Sequence, residues 1–125
     1  MKQIKQLGIW MDHSNAFLME LTNDVIVEKT VNSEFTPYEK EFTLEKSERM
    51  MHNKEQQDQA SYYKKISDVI KSYQEVILFG PTDAKLELLN LIRVGHQFES
   101  IMIEARNADK MTAHQMHDFV KEYFK

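Results

Sequence analysis

Two rhythms of apolar and polar positions run along this chain, and the change from one to the other divides it. Over residues 6–13, QLGIWMDH, the side chains Leu7, Ile9 and Met11 fall on one side and Gly8, Trp10 and Asp12 on the other. Apolar groups on both sides suit a strand covered on both faces. Asp12-His13-Ser14-Asn15 then predicts a turn, because short polar side chains there can bond their own backbone. Residues 16–21 (AFLMEL) read as a second strand and Thr22-Asn23-Asp24 as a tight reversal. Residues 25–31 (VIVEKTV) read as a third strand, with Val25, Val27 and Val31 apolar at period two. Three antiparallel strands in a meander follow. Residues 32–47 fit neither rhythm and are read as irregular.

From about Ser47 the period lengthens. Ala60, Tyr63, Ile66, Val69 or Ile70, and Tyr73 recur every three or four residues, which predicts a long helix whose apolar face is clear only from Ala60 onward. Residues 50–59, MMHNKEQQDQ, are polar enough to form either its exposed first turns or a mobile loop leading into it. Residues 75–79 (EVILF) form a short apolar run that ends at Gly80-Pro81, the pattern of a buried parallel strand emptying into a turn. Thr82 or Asp83 can cap the next helix, which places Ala84, Leu86 or Leu88, Leu89 and Ile92 toward the core before Gly95 ends it. A further strand is expected over residues 100–105. Thr112 and Gln115 have capping-box spacing at the start of a last helix, whose apolar stripe is Phe119, Val120 and Tyr123.

The order is therefore three antiparallel strands, a long helix, then strand, helix, strand, helix. Helical crossovers between strands are of parallel type, so the expected fold is α/β: a mixed five-stranded sheet with helices on both faces, the plan of a ribonuclease-H-like domain. The 125 residues suit one domain, and a chain of this length buries enough surface to need no staples. There is no Cys, which removes disulfides, thiolate zinc sites and a cysteine nucleophile. With no apolar run of signal or membrane-spanning length, a cytoplasmic protein outside the membrane is expected. Net charge is −4, and residues 1–44 carry four Lys against seven acids. No basic block is present to drive nonspecific phosphate binding, so any nucleic-acid contact rests on shape and a few placed cations.

Four stretches together carry a resemblance: LGIWMDHSNAFLMEL, SYYKKISDVIKSY, EVILFGPTDAKLELLNLI and ADKMTAHQMHDFVKEYF. They resemble the middle domain of archaeo-eukaryotic class 1 release factors and of the ribosome-rescue protein Pelota. They are similar, more closely, to small bacterial relatives labelled translational machinery or host attachment proteins. The most specific piece spans residues 77–89, where Gly80-Pro81 and Ala84-Lys85 stand where the family writes a glycine-proline turn followed by a lysine. The resemblance implies a single release-factor middle-domain-like domain over residues 1–125.

One departure bears on function. Release factors of the family carry a Gly-Gly-Gln loop before the long helix, whose glutamine helps water hydrolyse peptidyl-tRNA. Here the only glycines are Gly8, Gly80 and Gly95, and the corresponding stretch reads RMMHNKEQQDQ. Neither the glycine pair nor its backbone conformations are available, so no catalytic residue is expected. What stands there is His52, Lys54, Glu55, Gln56 and Gln57, a cluster suited to ribosomal RNA or a tRNA end, with cations for phosphates and amides for base edges or sugars. Lys85, after the Gly-Pro turn, is a further candidate for a phosphate, set against a role pairing on the helix surface.

Other chemistry is less well supplied. A two-metal nuclease needs three or four converging carboxylates; Asp12 is one, but Gly80-Pro81 stands where a second is needed and Asp83 is displaced into a helix cap. His114 and His117 lie one turn apart on the last helix with Asp118, yet no third ligand is spaced to help. Asp12 and His13 read better as turn builders than as an acid-base pair. No metal or cofactor is expected. Two functions remain: a noncatalytic translation-associated factor that binds the ribosome or tRNA through residues 52–57, acting in stalling or dormancy, and a homodimeric protein-interaction module that uses an uncovered sheet edge and has lost RNA binding.

Overall fold

The computed structural model describes residues 4–23, 25–32, 48–94 and 98–125, with side chains throughout except at residues 48–58. Strands β1 (Gln6–Met11), β2 (Asn15–Thr22) and β3 (Val25–Asn32) come first, followed by helix α1 (Glu48–Ile70). Strand β4 (Glu75–Gly80), helix α2 (Ala84–Val94), strand β5 (Met102–Asn107) and helix α3 (Ala113–Tyr123) complete the chain. The sheet order is β3-β2-β1-β4-β5. Strand β1 pairs antiparallel with β2 and parallel with β4, β2 pairs antiparallel with β3, and β4 pairs parallel with β5. The mixed five-stranded α/β sheet expected from the sequence is the one observed. The arm expected to be irregular lies, from residue 33 on, outside the described residues.

Two cores lie on opposite faces of this sheet. Leu7, Ile9 and Met11 of β1, with Val76 and Leu78 of β4, pack beneath Tyr62, Tyr63, Ile66 and Ile70 of α1 and Ala84, Leu88, Leu89 and Ile92 of α2. On the other face Trp10, Met19, Ile77 and Phe79 meet Met116 and Val120 of α3. Strand β1 is thus covered on both faces, and Gly8 is where α3 comes closest: a Cβ there would stand 2.2 Å from Val120 Cγ2. Phe79 stacks on Phe119 with ring centroids 4.2 Å apart. The capping box forms as its spacing predicts: Thr112 N donates to Gln115 Oε1 at 2.9 Å and Gln115 N to Thr112 Oγ1 at 3.2 Å.

Two expectations need correction. Ala60 is exposed, and Tyr62 takes the core position beside Tyr63. The last strand begins at Met102, two residues later than expected, because Ile101 N is engaged in a turn with Phe98 O. Of the two candidates on α2, Leu88 faces the core and Leu86 stays 44% exposed. Val25 and Val27 lie in a strand as expected, and at the β3 edge they remain 62% and 59% exposed.

Candidate functional site at the carboxyl edge of the sheet

Strands β1 and β4 are parallel neighbours, so their carboxyl ends open onto one edge. The β1–β2 turn, the β4–α2 turn and the middle of α1 all meet there. The turn after β1 is built by Asp12, whose Oδ1 accepts from Ser14 N at 2.8 Å and from Asn15 N at 2.7 Å, while Asp12 N donates to Asn15 O at 3.0 Å. These bonds commit the carboxylate to its own backbone. Asp12 is a turn builder here, as its sequence neighbours suggest.

The β4 turn depends on Gly80. Its φ is +154°, which L side chains rarely adopt, and a Cβ would stand 2.1 Å from Met11 O. Glycine is required because the backbones of β1 and β4 converge at this point. Gly80 O accepts from Ala108 N at 3.0 Å, extending the convergence to β5. Beyond Pro81, Thr82 Oγ1 accepts from Ala84 N at 3.3 Å, and Asp83 O accepts from Leu86 N and Glu87 N at 2.9 and 3.0 Å as α2 starts.

Helix α1 reaches this edge through three successive contacts. Tyr62 OH donates to Asp12 O at 2.8 Å, Gln59 Nε2 to His13 O at 3.4 Å, and Tyr63 OH to Glu87 Oε1 at 2.7 Å. The other oxygen of Glu87 meets His13 Nε2 at 3.1 Å. One carboxylate of α2 thereby joins the hairpin turn to α1. The Tyr63 hydroxyl, with help from His13 and against partial burial, holds the Glu87 carboxyl below the ordinary carboxylate range. Burial, reinforced by Glu87, pushes the Tyr63 phenol up; burial, then the Asp12 charge, does the same to Tyr62. Both phenols therefore act as neutral donors. Nothing in the periodicity marks Glu87 or Tyr62 for this role; the adjacent tyrosines at 62 and 63, straddling the apolar face, were the available signal.

Lys85 does not lie on the helix surface. It is 1% exposed, with Nζ turned back to donate to Thr82 O at 2.5 Å. Its ammonium thereby closes the Gly-Pro turn from inside. The two histidines of α3 part company: His114 Nε2 meets Asp118 at 3.3 Å, while His117 Nε2 meets Glu28 of β3 at 3.0 Å. Among the described residues no group of three or more His, Asp or Glu could hold a metal, and no helix is long and apolar enough to cross a membrane. His52, Lys54, Glu55, Gln56 and Gln57 fall in the first half of α1, where the helical path is described and side chains are not.

That path has a defined reach. From Gln59 at the carboxyl edge to Ile70 at the amino edge, α1 rises about 17 Å, the same as the height of six-residue β4, also about 17 Å. Residues 48–58 lie before Gln59 on the same helix, and at an ideal rise they continue for about another 17 Å.

No protein-family model matches this sequence, and no curated protein matches it. Solved structures do resemble the fold. Pelota from Archaeoglobus fulgidus superposes with a TM-score of 0.62 at 9% identity, over 97% of this chain and 32% of that one. Pelota from Thermoplasma acidophilum gives 0.57 at 20% identity, over 94% and 32%. An archaeal translation termination factor gives 0.57 at 14% identity, over 96% and 39%. The chain thus spans about a third of each of these proteins, and at such identities the likeness is one of fold: this chain is built like a portion of Pelota and of the archaeal termination factor.

Proposed function

We propose that residues 1–125 form one domain of the release-factor and Pelota middle-domain type, a noncatalytic translation-associated factor. In this reading it contacts the ribosome or a tRNA through the first half of α1, during stalling or dormancy, in the cytoplasm. The anchoring of α1 at its middle carries the reading. Gln59 ties the helix to the carboxyl edge through His13 O, and His52, Lys54, Glu55, Gln56 and Gln57 all precede it on the same helix, about 3–11 Å of helical rise away. Lys54 and His52 serve phosphates, and the glutamine amides serve sugars and base edges. Buried Lys85 takes no part. The likeness in fold to Pelota and a termination factor supports a role in translation, and the absence of a Gly-Gly pair from this stretch supports binding without hydrolysis.

Cosedimentation with purified ribosomes tests it. The wild-type protein is expected to pellet at low salt and to be released as salt rises, because phosphate contacts are screened and exchange for counterions. A Lys54→Glu, His52→Ala variant is expected to stay in the supernatant while its circular dichroism matches wild type. Equal pelleting of the folded variant defeats the proposal.

A further inference from the structure

Strand β5 closes one end of the sheet order, and among the described residues nothing pairs with its outer side. The orientation of its backbone follows from two bonds. Met102 N donates inward to Gln74 O at 2.9 Å, and Ala108 N inward to Gly80 O at 3.0 Å. Even-numbered residues therefore face β4, and the N–H and C=O groups of Ile103, Ala105 and Asn107 point outward. Side chains alternate the other way. Ile103 and Ala105 pack toward the larger core, while Glu104 and Arg106 stand on the α3 face, about half exposed. Arg106 Nε meets Glu104 Oε1 at 3.1 Å. Both are held in place from α3: Tyr123 OH donates to Glu104, and the Arg106 guanidinium lies 4.8 Å over the Tyr123 ring.

We propose that this edge is a self-complementary interface that pairs with β5 of a second copy of the chain, antiparallel about a two-fold axis at Ala105, to give one continuous sheet. The registers open to such pairing are few. A two-fold perpendicular to the sheet keeps each face on its own side, so even residues can only face even ones and odd only odd. Centring on Glu104 opposes two carboxylates, and centring on Arg106 opposes two guanidinium groups. Centring on Ala105 places Glu104 opposite the partner's Arg106 and Arg106 opposite the partner's Glu104.

The same register satisfies the backbone. The outward groups of Ile103, Ala105 and Asn107 become the hydrogen-bonded pairs, 103 with 107 and 105 with 105. Glu104 and Arg106 then fall at the non-hydrogen-bonded pairs, where side chains come closest. The two intrachain ion pairs merge into a square of alternating charge, and the methyl group of Ala105 lets the strands close at the axis. Edge β3 offers no equivalent, because Glu28 and Lys29 lie on opposite faces and cannot oppose each other under the same symmetry. This pairing does not rest on what residues 52–57 bind.

Sedimentation velocity over a concentration series is the test. The wild-type protein is expected to move from 14.9 kDa toward twice that mass. Glu104→Arg alone and Arg106→Glu alone each turn both cross-strand pairs repulsive, and each is expected to raise the dimerisation midpoint at least about tenfold. Mixing these two variants, or combining both changes in one chain, restores opposite charges across the seam and is expected to restore the wild-type midpoint. Ala105→Pro removes only an outward N–H and is expected to leave a folded monomer. Hydrogen exchange on the unaltered protein needs no variant: the amides of Ile103, Ala105 and Asn107 are expected to slow as concentration rises. A wild-type mass of 14.9 kDa up to about 1 mM, exchange at those amides indifferent to concentration, or folded single variants that dimerise like wild type overturns the proposal.

Discussion

Replacing Gly8 by alanine probes how tightly α3 is seated on the sheet. The new Cβ would stand 2.2 Å from Val120 Cγ2, 3.0 Å from Cγ1 and 3.1 Å from the Val120 Cβ, where ordinary contact begins at 3.4 Å. Val120 is fully buried and, as a β-branched residue on a helix, has one strongly preferred rotamer. Relief therefore requires α3 to lift by about 1.2 Å, which breaks the packing of Met116 and Phe119 as well. Overpacking of this kind costs about 1–3 kcal/mol, offset by about 0.5–1 kcal/mol for removing a flexible glycine from a strand interior. The expected net loss is about 1–2 kcal/mol, a fall in Tm of about 4–8 °C.

The same geometry predicts the sign of a double-mutant cycle. Val120→Ala alone leaves a cavity and costs about 2 kcal/mol. In that background the alanine at position 8 finds room, so the pair together costs about 1–2 kcal/mol rather than the sum of the singles. Urea unfolding of the four proteins measures the coupling. A double variant whose loss equals that sum within about 0.5 kcal/mol would show that the two side chains do not compete for one space, and the reasoning would fail.

Three further outcomes are expected. Gly80→Ala forces a side chain into a +154° φ against Met11 O, a backbone atom with no rotamer to yield, and should cost more than about 3 kcal/mol in urea unfolding; unchanged stability would refute the close approach of β1 and β4. Glu87→Gln should cost under about 1 kcal/mol at pH 7, because the carboxylate is half exposed. Its pKa is depressed in the folded state, so the stabilisation is present above the unfolded value of 4.5 and is lost as pH falls through the folded one. Stability curves of the two proteins should therefore converge on acidification below that value, and a gap that widens instead would contradict the Tyr63–Glu87–His13 linkage. Lys85→Met should leave stability unchanged or raised by about 1 kcal/mol, since it removes an ammonium from the interior, and should leave ribosome cosedimentation intact; loss of pelleting by a folded variant would put Lys85 back in the contact.

What the sequence made legible was local or two-sided. Strand β1 could be read because Leu7, Ile9 and Met11 alternate with Trp10, and the capping box because Thr112 and Gln115 lie within one turn. The phase of α2 was not legible: Leu86 and Leu88 both fit the period, and only the roll of the helix against β4 selects Leu88. Val25 and Val27 show the period of a strand without revealing that it is an edge. Lys85 reads as a surface residue because periodicity does not report a long side chain folding back on its own turn. Glu87 was invisible for a different reason. Its partners, Tyr63 and His13, are 24 and 74 residues away, and the sheet alone brings them together. Residues 52–57 were singled out through the resemblance, and that they belong to the long helix itself rather than to a segment leading into it became visible only in the fold.

The sheet is clothed unequally. Two helices shelter one face, and the 11-residue α3 alone shelters the core of the other. Detaching α3 would bare Trp10, Met19, Ile77 and Phe79 while the larger cluster beneath α1 and α2 kept its contacts. Fluctuations that release it therefore demand less free energy than global unfolding, and amides of residues 116–123 are the ones to lose deuterium protection ahead of β1 and β4. The lone tryptophan, which spans β1 toward Asp109 O at 3.5 Å, sits under that detachable cover and would report its lifting by fluorescence.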